Sequence, residues 1–482
     1  MANILFIKTT KSESNVLMAA SPPLGILYLI AYLREHRSGD NFKLLDLRVA
    51  RGNRTKLVKR TINEFKPDII AFSSLTVEAE NLYEKATICK ESAPNTPIVV
   101  GGPHPSAFGE KTLAHSAIDF IIAGEGEIPF LKLVNALESG ESEPEITGIG
   151  FRKNGGAPTL NAPNRELVDL ATLPMPAWDM IDFEAYKDYR MVPVGRGRYA
   201  SLFTSRGCPY RCTYCHQIFT KRYRAAPPEK VVQEIEHIVN AYGIDEFEIY
   251  DDTFNLDYKR TEAICDEIIN RGLKIRICFP NGVRGDILDE NLIKKLRKAG
   301  TIHMAIAVES ASERIQREIK KNNKLDKLKE NISLAAQEGI FTWGFFMMGF
   351  PGETREELWK TAKFALTSDL QGAYFFTVIP QEGTELAEQA KVSVAKYKNL
   401  KAADYLITNN ALAAVGNWEL WAWQMATTFA FHYHPKRIYM MMRNYPYSKR
   451  FFFKKGFLFT FRYFPEMFLT NLYEHIRKRL PS

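Results

Sequence analysis

Short apolar runs alternate with stretches of helical periodicity over the first third of the chain. Residues 3–8 (NILFIK), 42–47, 68–74, 97–102 and 118–124 are compact apolar runs, each followed by a helix-compatible segment. Near-continuous apolar runs suit strands covered on both faces, so the pattern predicts five parallel strands in a doubly wound sheet. The rhythm lapses over 140–197, where Gly, Pro, Asn and Asp accumulate and the apolar stretch from Leu173 to Trp178 stands alone. That segment reads as a connector. From Tyr199 the rhythm returns, with strands predicted at 199–204, 246–250, 274–279, 303–308, 342–348 and 372–379, and amphipathic helices such as 228–242 and 326–338. Beyond 386 it is lost again. The expected fold class is therefore α/β: a doubly wound parallel-sheet domain (1–139), a linker (140–197), a second βα domain (198–386) and a mainly helical C-terminal region (387–482).

Composition narrows the class. With 482 residues, 45% hydrophobic and 25% charged, the chain has the make-up of several globular domains, which excludes a disordered or fibrous protein. Of six cysteines, Cys89, Cys265 and Cys278 fall within apolar helix- or strand-like patterns and read as buried thiols. That sparse usage, with no secretory leader after Met1, predicts a reducing cytoplasmic location.

The net charge of +8 belongs to the tail. Residues 436–482 hold 11 Lys or Arg against 2 Asp or Glu, leaving 53 basic and 54 acidic residues elsewhere. The same tail has 13 Phe or Tyr, and 451–455 and 457–462 interleave rings with cations as an interfacial anchor does on anionic lipid. No run reaches the roughly 18 uncharged apolar residues of a membrane span. The tail is a candidate for peripheral contact with the inner membrane face; helices packed over the second domain with a solvated basic edge are the alternative. Without a stacking module, no nucleic acid partner is expected.

The strongest chemical signal is the stretch 205–216, SRGCPYRCTYCH, which sets Cys208, Cys212 and Cys215 on one short loop. Thiolates at that pitch select zinc or iron–sulfur. A structural zinc would need a fourth ligand, for which adjacent His216 is the candidate; three cysteines on a cubane would leave one iron open for chemistry.

The spacing Cys-x-x-x-Cys-x-x-Cys, with Tyr214 before the last cysteine, resembles the signature of radical S-adenosylmethionine (SAM) enzymes. The resemblance implies a partial (β/α)6 barrel over 198–386, with working residues at strand carboxyl ends. It implies a 4Fe–4S cluster on Cys208, Cys212 and Cys215, whose open iron chelates SAM and whose electron yields a 5′-deoxyadenosyl radical. It further implies SAM contacts from Asp251 and Asp252 after the second strand, Arg284 after the third, and Glu309 and Ser310 ending the fourth. The run 344–353 resembles the segment that holds adenine, with Gly349 at its turn, and the loop 379–384 lies where substrate is expected. An electron donor such as flavodoxin or ferredoxin is the implied partner.

The turns that follow the N-terminal strands also match a pattern. Pro22-Pro23-Leu24-Gly25, Gly101-Gly102-Pro103-His104 and Gly124-Glu125-Gly126-Glu127 resemble the cobalamin-binding domain that precedes the radical domain in one large subclass. With Ser73, they place Pro23, Gly25, Gly101, Gly102, Gly124 and Glu125 as candidate cobalamin contacts, where small residues admit a large ligand. The Asp-x-His-x-x-Gly pattern that supplies a histidine to cobalt in many such domains is absent, and His104 is not expected to replace it.

These resemblances point to a cobalamin-dependent radical SAM methyltransferase acting on an unactivated carbon of a small-molecule or lipid-like hydrophobic substrate. A radical cyclase of the same family, acting on a tetrapyrrole or lipid, is the alternative; a zinc-binding membrane-surface scaffold is the alternative of another class. Methylthiotransfer would require three further cysteines in the N-terminal domain, which holds only Cys89.

Overall fold

The computed structural model describes residues 1–11, 20–152, 156–190, 197–215, 219–381, 383–390, 412–450, 452–453, 465, 468–469 and 472. His216, Glu382 and most of the tail beyond Arg450 lie outside the described residues, as do parts of the 140–197 segment.

Strands β1 (Asn3–Lys8), β2 (Asn41–Asp46), β3 (Ile69–Ser73), β4 (Ile98–Gly101) and β5 (Phe120–Ile122) form a parallel sheet in the order β2-β1-β3-β4-β5. Its two faces are both buried. Ile4 and Phe6 of β1 join Ile26, Ile30, Phe130 and Leu133 on one side, while Leu5 and Ile7 join Val58, Ile62, Leu82 and Cys89 on the other. That two-sided burial explains the apolar runs. The strand order reverses between β1 and β3, so the crevice at their carboxyl ends is where a doubly wound sheet takes its ligand.

The sheet does not end at β5. Strands β6 (Ile149–Arg152) and β7 (Pro158–Leu160) extend it antiparallel, so the segment read as a plain connector contributes two strands. They are four and three residues long, too short to show a period against their Gly- and Pro-rich surroundings. The rest of that segment is tied to both domains. Ala177 donates its backbone N–H to Leu27 O, Tyr186 donates to Asp46 across 2.9 Å, and Arg190 ion-pairs with Glu246 and Glu248.

The second domain opens with β8 (Ala200–Leu202), followed by the two-residue strands β9 (Ser205–Arg206) and β10 (Arg224–Ala225), which pair antiparallel. Strands β11 (Glu246–Ile249), β12 (Arg276–Val283), β13 (Thr301–Glu309), β14 (Phe341–Met348) and β15 (Gly372–Thr377) follow β8 in sequential, parallel order, the six-stranded arrangement of a partial barrel. One set of alternate residues, including Phe247, Ile249, Met304, Ile306, Phe346 and Phe375, packs beneath the helices. The opposite set, on the concave side, includes Cys278, Trp343 and Tyr374, which pack there with Tyr445 and Tyr447, and Glu248, which pairs with Arg190.

C-terminal helices Asn417–His432 and Pro435–Asn444 follow. The first covers the edge strand β15, and Gln424 donates to Phe375 O at 2.7 Å, satisfying an edge carbonyl that would otherwise invite foreign pairing. Among the described residues, no helix is long and apolar enough to cross a membrane.

Candidate cluster and cofactor site

The cysteine loop is closed by the β9–β10 pairing and turned by Gly207. Gly207 adopts φ +85°, and a Cβ there would come within 2.6 Å of Thr220 O, so the turn requires glycine. Its N–H donates to Asp252 Oδ2 at 3.0 Å. Three further straps hold the loop. Thr213 N–H donates to Ile319 O (3.1 Å), Leu386 N–H donates to Thr213 O (2.8 Å), and Lys221 Nζ donates to Tyr210 O (2.7 Å). Cys208 Sγ lies 3.5 Å from Thr253 Oγ1, and Cys212 Sγ lies 3.9 Å from Lys320 O.

Burial raises the Cys212 thiol and pushes Cys215 up to about 11, while Lys321 beside the first and Lys221 beside the second pull the other way. Metal binding would displace those protons. Among the described residues, no three Cys, His, Asp or Glu side chains surround a single point as one ion would need. Three soft thiols on one loop are the donor set that zinc or an iron–sulfur cluster takes.

The strand-end residues divide into two groups. Tyr214, Glu309, Arg284 and Asp252 gather around the cysteine loop. Tyr214 donates to Glu309 Oε1 at 3.0 Å, Lys321 Nζ stands 3.5 Å from the same oxygen, and the Arg284 guanidinium lies 3.9 Å over the Tyr210 ring while its Nε donates to Asp286. Glu309 has φ +66°, a strained conformation for a side-chain-bearing residue, held at a strand end beside the loop.

Asp251 and Ser310 are turned elsewhere. Asp251 is buried and accepts from Thr204 N, Thr204 Oγ1 and Ser205 Oγ, each at 2.6 Å, so its carboxylate braces the chain leading into the loop. Burial raises its pKa against those donors. Ser310, also buried, sits 3.2 Å from Thr361 Oγ1 and accepts from Ser312 N–H. Gly349 has φ +100° and donates its N–H to Glu353 Oε2 at 2.6 Å, which fixes the turn after β14.

In the first domain, Gly25 and Gly124 border open space, and Ser73, Gly101 and Gly102 stand at the ends of β3 and β4. Gly102, at φ +96°, packs so closely on Ser74 that a Cβ would meet its carbonyl at 3.0 Å. Pro23 precedes the helix Leu24–His36. His104 is buried, its Nε2 2.9 Å from Tyr83 OH and its pKa lowered to about 4 by burial. Its ring is engaged within the domain.

Glu125 departs from expectation: both oxygens are taken by Arg206 and Arg224 of the β9–β10 hairpin, and neighbouring Glu127 also pairs with Arg206. The sequence reading missed Arg206, Arg224 and Lys321, and took Glu353 only as the end of the run resembling the adenine-holding segment. Only the position of Arg206, two residues before Cys208, could have drawn notice to it.

The Radical SAM superfamily pattern matches residues 202–365, and the B12 binding domain pattern matches residues 17–134. An uncharacterized methyltransferase of Pyrococcus horikoshii is 30% identical over 98% of this chain and 95% of its own length. An anaerobic magnesium-protoporphyrin IX monomethyl ester cyclase of Cereibacter sphaeroides is 30% identical over 75% of this chain and 59% of its own. The fold matches that of the radical SAM methyltransferase TsrM of Kitasatospora setae, solved with cobalamin and a [4Fe-4S] cluster, with a TM-score of 0.67, 20% identity, and 81% and 78% of the two chains covered. The two matched domains bring a 4Fe–4S cluster with SAM, and cobalamin, respectively. The zinc-scaffold alternative is set aside. This chain belongs to the radical SAM enzymes that carry a B12 binding domain ahead of the radical SAM domain.

Proposed function

We propose that this enzyme transfers a methyl group from SAM to an unactivated carbon of a hydrophobic small molecule, using cobalamin as the carrier. The near full-length similarity to a protein named as a methyltransferase supports the reaction class. The observation that carries the substrate class is the concave wall of β14 and β15. Phe345, Tyr374 and Phe376 remain partly exposed there, with ring centroids 5.5 to 6.3 Å apart, an apolar slab suited to a planar or greasy body.

The cluster and cobalamin, when bound, supply the electron that cleaves SAM and the site that carries the methyl group. The protein's part is binding and orientation. Cys208, Cys212 and Cys215 hold the cluster; Asp252, Arg284, Glu309 and Tyr214 surround SAM, and the Gly349 turn receives adenine. Gly25 and Gly124 leave the crevice of the first sheet open to a corrin, with Ser73, Gly101 and Gly102 at its edge. Asp251 and Ser310 act from behind, by holding the loop and the end of β13.

A cyclase is the second reading, favoured by the 30% identity to the magnesium-protoporphyrin ester cyclase. Anoxic reconstitution with methyl-labelled SAM and a cell extract separates the two. Label in a lipid, pigment or small-molecule product supports methyl transfer; 5′-deoxyadenosine with an unlabelled, hydrogen-depleted product supports cyclisation. Cys212→Ala should abolish 5′-deoxyadenosine formation in either case. A low-potential flavodoxin or ferredoxin is the proposed electron donor, tested by replacing a chemical reductant in that assay.

Peripheral membrane contact through the C-terminal region is supported by the exposure of Phe429, Tyr439, Phe453 and Lys436. Co-sedimentation with anionic liposomes, compared between wild type and a variant carrying Phe429→Ser, Lys436→Glu, Tyr439→Ser and Phe453→Ser, tests it; equal binding by both proteins contradicts it.

A further inference from the structure

The two domains are joined by a buried ionic knot at a chemically sensitive place. Arg206 NH1 donates to Glu125 Oε2 and its NH2 to Glu127 Oε1, each at 2.8 Å. Arg224, paired with Arg206 across the hairpin, takes the other oxygen of Glu125 and donates to Val168 O at 2.8 Å. The Arg206 guanidinium also lies 5.1 Å over the ring of Tyr28, whose hydroxyl donates to Phe203 O at 3.2 Å. The Arg206 and Glu125 side chains are only 4% and 5% exposed.

Removing such charges from water costs much of what their attraction returns, so a buried pair is a weak way to gain stability compared with apolar packing. What it provides is geometry, because a planar guanidinium donating two directed hydrogen bonds fixes orientation as well as distance. Both ends of this knot adjoin a cofactor element. Arg206 is followed directly by Gly207, where the cysteine loop turns, and Glu125 follows Gly124, which borders open space at the end of β5. The ion pairs tie the 124–127 loop to the residue that precedes the cysteine turn.

We propose that Arg206 is a positioning residue that locks the cysteine loop in register with the cobalamin-facing loop 124–127, so that radical formation and methyl transfer occur on one aligned substrate. The inference rests on the methyltransferase reading for its consequence and on the ion pairs for its structure. Loss of the lock leaves SAM cleavage running while its yield of methylated product falls.

The test uses full-length protein carrying Glu127→Gln, Arg206→Gln or Arg206→Lys, reconstituted with iron, sulfide and hydroxocobalamin. In Glu127→Gln, amide exchange across residues 207–215 should rise about tenfold, as for a charge-assisted hydrogen bond reduced to a neutral one, with the amides of β13 and β14 unchanged. Exchange confined to 124–127 overturns the lock. With iron and corrin content unchanged, the ratio of methylated product to 5′-deoxyadenosine should fall about tenfold in Arg206→Gln and partly recover in Arg206→Lys. An unchanged ratio, or iron lost in proportion to activity, also overturns it. If wild-type enzyme cleaves SAM but methylates nothing, the methyl-transfer reading fails and the exchange experiment still decides the lock. If Arg206→Gln does not fold, Glu127→Gln carries both measurements.

Discussion

Tyr214 donates its phenolic hydrogen to Glu309 across 3.0 Å, tying the residue before the last cysteine to the end of β13. Burial and the neighbouring carboxylate hold the phenol pKa well above its usual value, so the donor keeps its proton throughout the working pH range. Glu309 pays for its position with a left-handed backbone, and Tyr214 and Lys321 together aim its carboxylate. Tyr214→Phe should leave cluster content unchanged and weaken SAM binding about tenfold, the worth of one hydrogen bond to a charged acceptor. The change that SAM induces in the spectrum of the reduced cluster reads that affinity directly. Wild-type affinity would assign the pair to loop stability alone.

Gly207 makes a sharper claim on the cysteine loop. A methyl group at that position would press on the carbonyls of Thr220 and Arg222, which belong to the chain closing the hairpin. They cannot retreat without opening the β9–β10 pairing, and the positive φ adds strain of its own; together the cost is about 2–4 kcal/mol. Gly207→Ala should therefore purify folded, with native circular dichroism, yet bind little iron or sulfide after reconstitution. Full iron loading would show that the loop can re-form around the added methyl.

The basic tail is partly structural. Arg437 is 5% exposed and donates to Ser368 O at 2.8 Å, to Ala365 O and Leu366 O at 3.2 and 3.1 Å, and to Leu370 O. Those carbonyls end the helix Arg355–Thr367 and lead into β15, where a cation is favoured by both hydrogen bonding and the helix dipole. Arg437→Met would leave several buried carbonyls without this donor and should cost about 3 kcal/mol, seen as a lower thermal midpoint. Liposome binding by the folded fraction should not change, since this charge faces inward.

What could be read from the sequence, and what could not, follows from how each feature is encoded. All five parallel strands of the first sheet and all six of the barrel are visible in the chain, because burial on two faces, or on one face beneath helices, leaves its period in the residues themselves. The cysteine trio is visible for the same reason: its ligands are local. Partnership across long separations is not local. Glu125 looked like a ligand contact because it follows a glycine at a strand end, and nothing near it announces Arg206, 81 residues away. Asp251 likewise stands at the right strand end but spends its carboxylate on Thr204 and Ser205. Strands β6 and β7 escaped because three or four residues cannot display a period.

Glu353 gives the fold a pH dependence with a definite sign. Its Oε2 accepts from the N–H groups of Gly349 and Phe350, while Oε1 is buried without a partner among the described residues. Burial outweighs the two hydrogen bonds and pushes its pKa from 4.5 up to about 7. Unfolded, the carboxyl ionises near 4.5; folded, it keeps its proton to about 7. Between those values the native state binds more protons than the unfolded chain, so stability falls as pH rises, by about 1.4 kcal/mol per unit and about 3 kcal/mol in all. Glu353→Gln is neutral at every pH and should lack that decline. Thermal midpoints of the two proteins, compared from pH 5 to pH 8, should draw apart as pH increases, with wild type losing ground to the variant and the difference levelling off above pH 7. Parallel curves would mean that the buried carboxyl is ionised in the native protein, stabilised by the turn it caps.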